Sequence, residues 1–305
     1  MKKYFFFLIL IILILISGCA TLLPGGNGGS SNEGPLTGSP NGIQVIFLTQ
    51  TSEILSGNPI QVAIKLRNNA ACAAVGKLCI SDSAPDGISG SSPLCQDFEI
   101  PGAAIEGNKQ RILEPSFNFQ TPSYNIQDPK IKNREYTLFA TATYKCAITA
   151  EPEFCVPRTS DNAQCKTSET VSGNNLKASA APITVTQVEK ITTPTSFGAD
   201  VLTKITLSKM SKGYVVNKID SSEIQQGSSQ GEPVSLYVDI DGNQMDCSGT
   251  DFKDNFIDWK TNDDKRTINC RTSLNFPDNR IDAHLNVNID FVYKTTESKK
   301  INIIR

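Results

Sequence analysis

Ile60-Gln61-Val62-Ala63-Ile64-Lys65-Leu66-Arg67 alternates without a break, with Ile60, Val62, Ile64 and Leu66 on one face and mostly polar side chains on the other. A period of two places successive side chains on opposite sides of an extended backbone, so this run reads as a half-buried β-strand. Asn68-Asn69 then supplies turn chemistry. Working outward, Tyr136, Leu138, Ala140, Ala142 and Tyr144 share one face of a second long strand, opposite Thr137, Thr141, Thr143 and Lys145. Shorter strand-like runs lie at 44–48, 98–100 and 116–120, bounded by Gly, Pro, Asn or Ser. Toward the C-terminus the segments 202–207, 214–219, 234–240, 267–271 and 284–294 read the same way, and 301–304 closes the sheet. The segment 284–294 is the clearest, with Leu285, Val287, Ile289, Phe291 and Tyr293 inward. No segment of about twelve residues or more carries a clean 3.6-residue apolar period. Many strands, turn signals between them and no helices predict an all-β sandwich.

The N-terminus carries a different signal. Lys2 and Lys3 precede an uninterrupted apolar run from Phe5 to Ile16, the arrangement of an export signal. Ile16-Ser17-Gly18-Cys19 ends that run with small residues directly before a cysteine, and it resembles the lipobox of prokaryotic lipoprotein signal peptides. The resemblance implies cleavage before Cys19 and lipid on its thiol, making membrane attachment the first expected partnership. Each buried methylene of an acyl chain contributes ~0.8 kcal/mol, so two or three chains hold where one does not. An uncleaved single-pass anchor is the alternative, although a span needs about 20 apolar residues and this one would have to include Ser17, Gly18 and Thr21. After Cys19, the stretch holding Gly25-Gly26-Asn27-Gly28-Gly29-Ser30-Ser31 and Gly34-Pro35 has too little apolar surface to fold, and it predicts a flexible tether.

A second resemblance begins at Gly57. Gly57, the strand that follows and Asn68 are similar to the opening of the immunoglobulin-like, CARDB-type domains of archaeal and bacterial surface proteins, with Ala70 where those domains place a glycine. It implies immunoglobulin-like sandwiches. The expected organisation is a signal peptide at 1–18, a lipidated Cys19 with its tether through 42, and two tandem immunoglobulin-like β-sandwich domains at 43–188 and 189–305.

Charge and cysteine usage bound the function. Lys+Arg 29 stand against Asp+Glu 31, a formal net charge of −2 with no basic stripe, so a nucleic-acid partner has no electrostatic footprint. Of nine cysteines, setting Cys19 aside leaves an even number in an exported chain, which favours disulfides. No C-x-x-C pair occurs and His284 is the single histidine, a poor basis for zinc. Cys247 and Cys270, alone in their half, are expected to pair, as are Cys155 and Cys165 around a loop-like segment. Cys72, Cys79, Cys95 and Cys146 leave the choice open; Cys79 with Cys95 and Cys72 with Cys146 is the expected arrangement, the first stapling a Gly- and Ser-rich loop.

Few residues point to chemistry. His284 with Asp282 on the same side of its strand lacks a G-x-S-x-G elbow or any identifiable serine partner, so a hydrolase triad is not expected. Asp239, Asp241, Asn243 and Asp246 sit at spacings similar to a calcium loop, but Asp241-Gly242 after an alternating strand is a leading hairpin signal, and the hairpin is the expected reading. Tyr136, Tyr144, Phe291, Tyr293 and Trp259 are expected in the core rather than on a sugar-binding face. The chain is therefore expected to be a non-catalytic binding or structural module of the cell envelope without a cofactor, its partner an envelope protein or a glycan. The alternatives are an interaction subunit of an envelope assembly and a secreted hydrolase with an unrecognised site.

Overall fold

The computed structural model describes residues 39–50, 52–85, 87–88, 93–106, 109–159, 165–219 and 232–305. Cys19, the expected signal peptide and the expected tether as far as Gly38 lie outside the described residues.

Nine strands come first: β1 (Ile43–Phe47), β2 (Glu53–Leu55), β3 (Pro59–Asn68), β4 (Ala74–Asp82), β5 (Leu94–Ile100), β6 (Ala104–Glu106), β7 (Lys109–Arg111), β8 (Ser116–Ser123) and β9 (Asn133–Ala150). Then follow β10 (Glu153–Pro157), β11 (Ser168–Ser172), β12 (Ile183–Pro194), β13 (Gly198–Lys209), β14 (Tyr214–Val216), β15 (Glu232–Ile240) and β16 (Asn243–Gln244). The last are β17 (Asp246–Ser248), β18 (Phe252–Lys253), β19 (Phe256–Trp259), β20 (Lys265–Asn275) and β21 (Arg280–Ile304). The 3-10 turn Gly173–Leu176 lies between β11 and β12.

The alternation of β3 is realised: Ile60, Val62, Ile64 and Leu66 are buried, and β3 lies between β1 and β8 in a three-stranded sheet. Asn68 ends the strand from a buried position. Its Nδ2 donates to Cys72 O at 2.8 Å and Pro101 O at 3.1 Å, while its Oδ1 accepts the Ala70 N–H at 3.1 Å, so one amide organises the turn into β4.

Facing that layer is a large sheet whose strand order is β18-β19-β15-β21-β9-β4-β5. A five-stranded sheet, β11-β12-β13-β20-β17, covers the other half of the molecule. β9 and β21 are antiparallel neighbours along all 18 residues of β9, from Val287 opposite Ala150 to Ile304 opposite Asn133. Tyr144 sits opposite Tyr293 at the middle of this ladder, both fully buried with ring centroids 6.2 Å apart. β4 and β9 approach closely at Gly76, where a Cβ would lie 2.0 Å from the Thr143 carbonyl oxygen.

This pairing changes the expected organisation. Residues Gly34–Arg305 form one compact unit, and the seam expected at 188/189 falls inside β12, which pairs with β13 on both sides of it, Val188 opposite Ile205 and Glu189 opposite Lys204. The second half is not appended to the first. It is inserted between β9 and β21, two adjacent strands long enough to serve both halves, and the segments expected as 284–294 and 301–304 are one strand. Parity explains the continuity, because Tyr293 and Ile301 are eight positions apart and fall on the same face, while β9 pairs the polar stretch between them.

Candidate functional site

The calcium-like residues resolve into a turn. β15 and β16 form a two-residue hairpin, Ile240 opposite Asn243, with Asp241 at φ 49° and Gly242 at φ 79°. Two consecutive positive φ values are the type I′ geometry that Asp-Gly favours. Asp239 Oδ1 accepts the Gly242 N–H at 3.0 Å and the Asn286 Nδ2 at 2.9 Å, and Asp241 Oδ1 accepts the His284 N–H at 3.0 Å. Asn243 Nδ2 donates to Ile240 O, and Asp246 lies on β17 opposite Arg271. Asp239, Asp241, Asn243 and Asp246 therefore do not converge on a common point. Among the described residues no group of three or more His, Cys, Asp or Glu is placed to hold a metal.

His284 is more than half exposed, its Nδ1 3.7 Å from Glu153 Oε1. The hydrogen bond from Lys177 holds the Glu153 carboxyl below its usual range, and the charges of Lys177 and His284 act in the same direction. Asp282 lies opposite Cys155 in the β10–β21 ladder. These residues make a solvated cluster of charges, with no hydroxyl bonded to the imidazole among the described residues.

The aromatic side chains expected inside are there. Tyr144, Tyr293, Phe291 and Trp259 are buried, and Tyr136 packs against the core with Arg134 over its ring at 5.6 Å. Tyr144 Oη accepts the Ile43 N–H at 3.1 Å and Tyr293 Oη donates to Ser211 O at 2.9 Å. Burial pushes both phenols above their usual range.

The cysteines pair as Cys72–Cys146, Cys79–Cys95, Cys155–Cys165 and Cys247–Cys270. Cys79–Cys95 and Cys247–Cys270 each join directly opposed positions of neighbouring strands.

Two features that sequence reasoning missed stand at the β10 end of the inserted half. Lys190 points inward from β12 in the row of Thr203 and Cys270 and is wholly buried. Its Nζ donates to Cys155 O at 2.5 Å and to Lys166 O at 2.7 Å, clasping both ends of the disulfide loop from the core side. The signal was parity: Lys190 shares a face with Val188 and Thr192. Desolvation pulls the ammonium below lysine's ordinary 10.5, and Glu169 at 3.8 Å only partly opposes it. A depressed lysine pKa means that, between its folded and unfolded values, the native state binds fewer protons, so this residue's contribution to stability rises with pH. Lys190→Met leaves both carbonyls without their donor, at a cost of about 2 kcal/mol at pH 7. Urea melts at pH 7 and pH 10 should show the wild type's advantage over this variant growing at the higher pH; a constant advantage would mean that Lys190 titrates as it does in the unfolded chain.

The second feature is a tip where three connections meet. Arg158, just after β10, donates through Nη1 to Pro277 O at 2.5 Å and through Nη2 to Ser196 O at 2.7 Å, while its N–H donates to Asn279 O at 2.9 Å. The Phe276 N–H donates to Phe197 O at 3.0 Å. One guanidinium thus ties the β12–β13 and β20–β21 turns together. Phe197 projects from the junction with 75% of its surface exposed, the largest value among the exposed large apolar residues described. With Arg158, Asn275, Phe276 and Pro277 it borders an open groove of about 610 Å³.

No protein-family model and no curated protein matches the chain. The described features are those of a disulfide-linked all-β scaffold presenting a fixed aromatic tip.

Proposed function

We propose that this chain is a lipid-anchored protein of the cell envelope, facing outward and serving as a non-catalytic binding or structural module. The observation that carries the reading is the division of the cysteines: the eight from Cys72 onward pair among themselves in four disulfides, which fits an oxidising compartment. Cys19, the ninth, stands behind an apolar export signal in a lipobox-like setting. The glycine-rich tether supports it too, with a mean reach of roughly 25 Å for a coil of that length, enough to hold a folded body clear of lipid headgroups. The balanced charge supports an envelope protein or glycan as partner rather than a nucleic acid. Intact-mass analysis of the N-terminal peptide is the test. The wild type is expected to begin at Cys19 and carry acyl mass, and Cys19→Ser to lose that mass and move from the membrane to the soluble fraction. A wild-type peptide with no acyl mass would refute the lipid anchor.

A further inference from the structure

We propose that the Phe197 tip is a carbohydrate-binding site in which the phenyl ring stacks on the face of a pyranose; the inference rests on the binding-module reading above and names its ligand class. The tip is built rather than incidental. Phe197 sits on the short β12–β13 turn, closed by the Thr195 N–H donating to Gly198 O at 2.9 Å, and its carbonyl is held by Phe276. Arg158 locks this turn to the β20–β21 turn. Behind Arg158, the Cys155–Cys165 disulfide and the buried Lys190 fix the root of the β10 strand. An aromatic ring fully seated in a core needs no explanation, and one on a mobile loop carries little information. A ring 75% exposed on a support tied at this many points is pre-organised, which lowers the ordering cost of binding.

The size of the surface selects the class of ligand. A stable protein–protein interface takes about 20–30 residues a side, whereas the described residues that border this groove are Arg158, Phe197, Asn275, Phe276 and Pro277. Its volume of about 610 Å³ falls in the range of small-ligand sites, roughly 300–1,000 Å³. A pyranose presents an apolar patch of C–H groups on one face and hydroxyls around its rim. Phe197 supplies the apolar partner, and the exposed Asn275 supplies an amide donor and acceptor beside it. Arg158 spends one hydrogen on each of the two turn carbonyls and retains further N–H groups for a hydroxyl. The same tip lies far from the chain's entry into the fold. Ile43 meets Tyr144 opposite Tyr293, and β21 begins at Arg280, thirteen positions away, or roughly 40 Å at the rise of a strand.

The experiment is saturation-transfer NMR on the full chain in detergent micelles, with chitotetraose, cellotetraose and mannotetraose as probes. Saturation is expected on the ring protons of at least one probe, lost by tenfold or more in Phe197→Ala and retained in Phe197→Trp; thermal melts confirm that both variants fold. No transfer to any probe, or transfer unchanged in Phe197→Ala, would overturn the proposal. Phe197-dependent binding to phosphatidylglycerol vesicles with no transfer to sugars would overturn it too, in favour of a membrane-dipping tip. None of these outcomes touches the acyl-mass test of the anchor, so the two readings fail separately.

Discussion

Replacing Cys72 and Cys146 together by serine is expected to cost about 4 to 5 kcal/mol, the largest loss of any single disulfide here. The bond spans a sequence separation of 74 residues, against 10 for Cys155–Cys165, 16 for Cys79–Cys95 and 23 for Cys247–Cys270. In the chain-entropy model the closure of such a loop removes more freedom from the unfolded chain than the shorter loops do, for which the same model gives about 3 kcal/mol each. Position adds to length. Both cysteines are buried, and they join the β3–β4 turn to the C-terminal part of β9 opposite Phe291. For a chain of this size the loss corresponds to a fall in melting temperature on the order of 10 °C. Thermal melts followed by circular dichroism, with the Cys155→Ser/Cys165→Ser variant alongside, check it; equal losses in the two variants would show that loop length does not set the stabilisation.

Trp259→Ala is expected to destabilise by about 3 to 5 kcal/mol, the range for removing a large buried aromatic. Trp259 ends β19 with 1% of its surface exposed. Its Nε1 donates to Asp263 O at 3.0 Å. Asp263 in turn accepts the Lys260 N–H at 2.7 Å and pairs with Arg266, whose Nη1 reaches Asp251 at 2.9 Å. Alanine therefore opens a cavity beneath the sheet and orphans the carbonyl on which this turn closes. Trp259→Phe keeps most of the volume and loses only the hydrogen bond, so it should cost about 1 to 2 kcal/mol. Urea unfolding followed by far-ultraviolet circular dichroism is the measurement, because the only tryptophan is the residue being changed. A loss in Trp259→Ala no greater than in Trp259→Phe would place the stabilisation in the hydrogen bond instead of the packing.

What could be read beforehand followed from side-chain parity. β3, β9 and the first half of β21 show one apolar face each, and Asp241-Gly242 announced its hairpin. β4 escaped notice because its inward residues begin Ala74, Gly76, while Val75 on the outward side is 47% exposed; small residues where β9 comes close leave a weak alternation. Parity states which face of a strand is buried and is silent about which strand lies beside it. Nothing in 133–150 and 280–304 taken separately says that they are neighbours, so an insertion looked like a tandem array. The tip was hidden for a related reason. A lone phenylalanine before a glycine reads as part of a turn, and Arg158, Ser196 and Pro277 meet only once three distant connections have been folded together.

The placement of β21 governs when the molecule becomes a molecule. This 25-residue strand ends the described chain and pairs with β9, β15, β14, β10 and β2. Until it is present, one edge of β9 is an open row of amides and carbonyls, the kind of edge that recruits other chains. Synthesis runs from the N-terminus, so a chain released short of residue 280 would have neither half closed, however complete its other strands. Such long-range pairing also belongs with slow folders, on the scale of milliseconds to seconds or longer. Neither half therefore has its full set of neighbouring strands without β21, which pairs with β9 from the first half and with β15, β14 and β10 from the second.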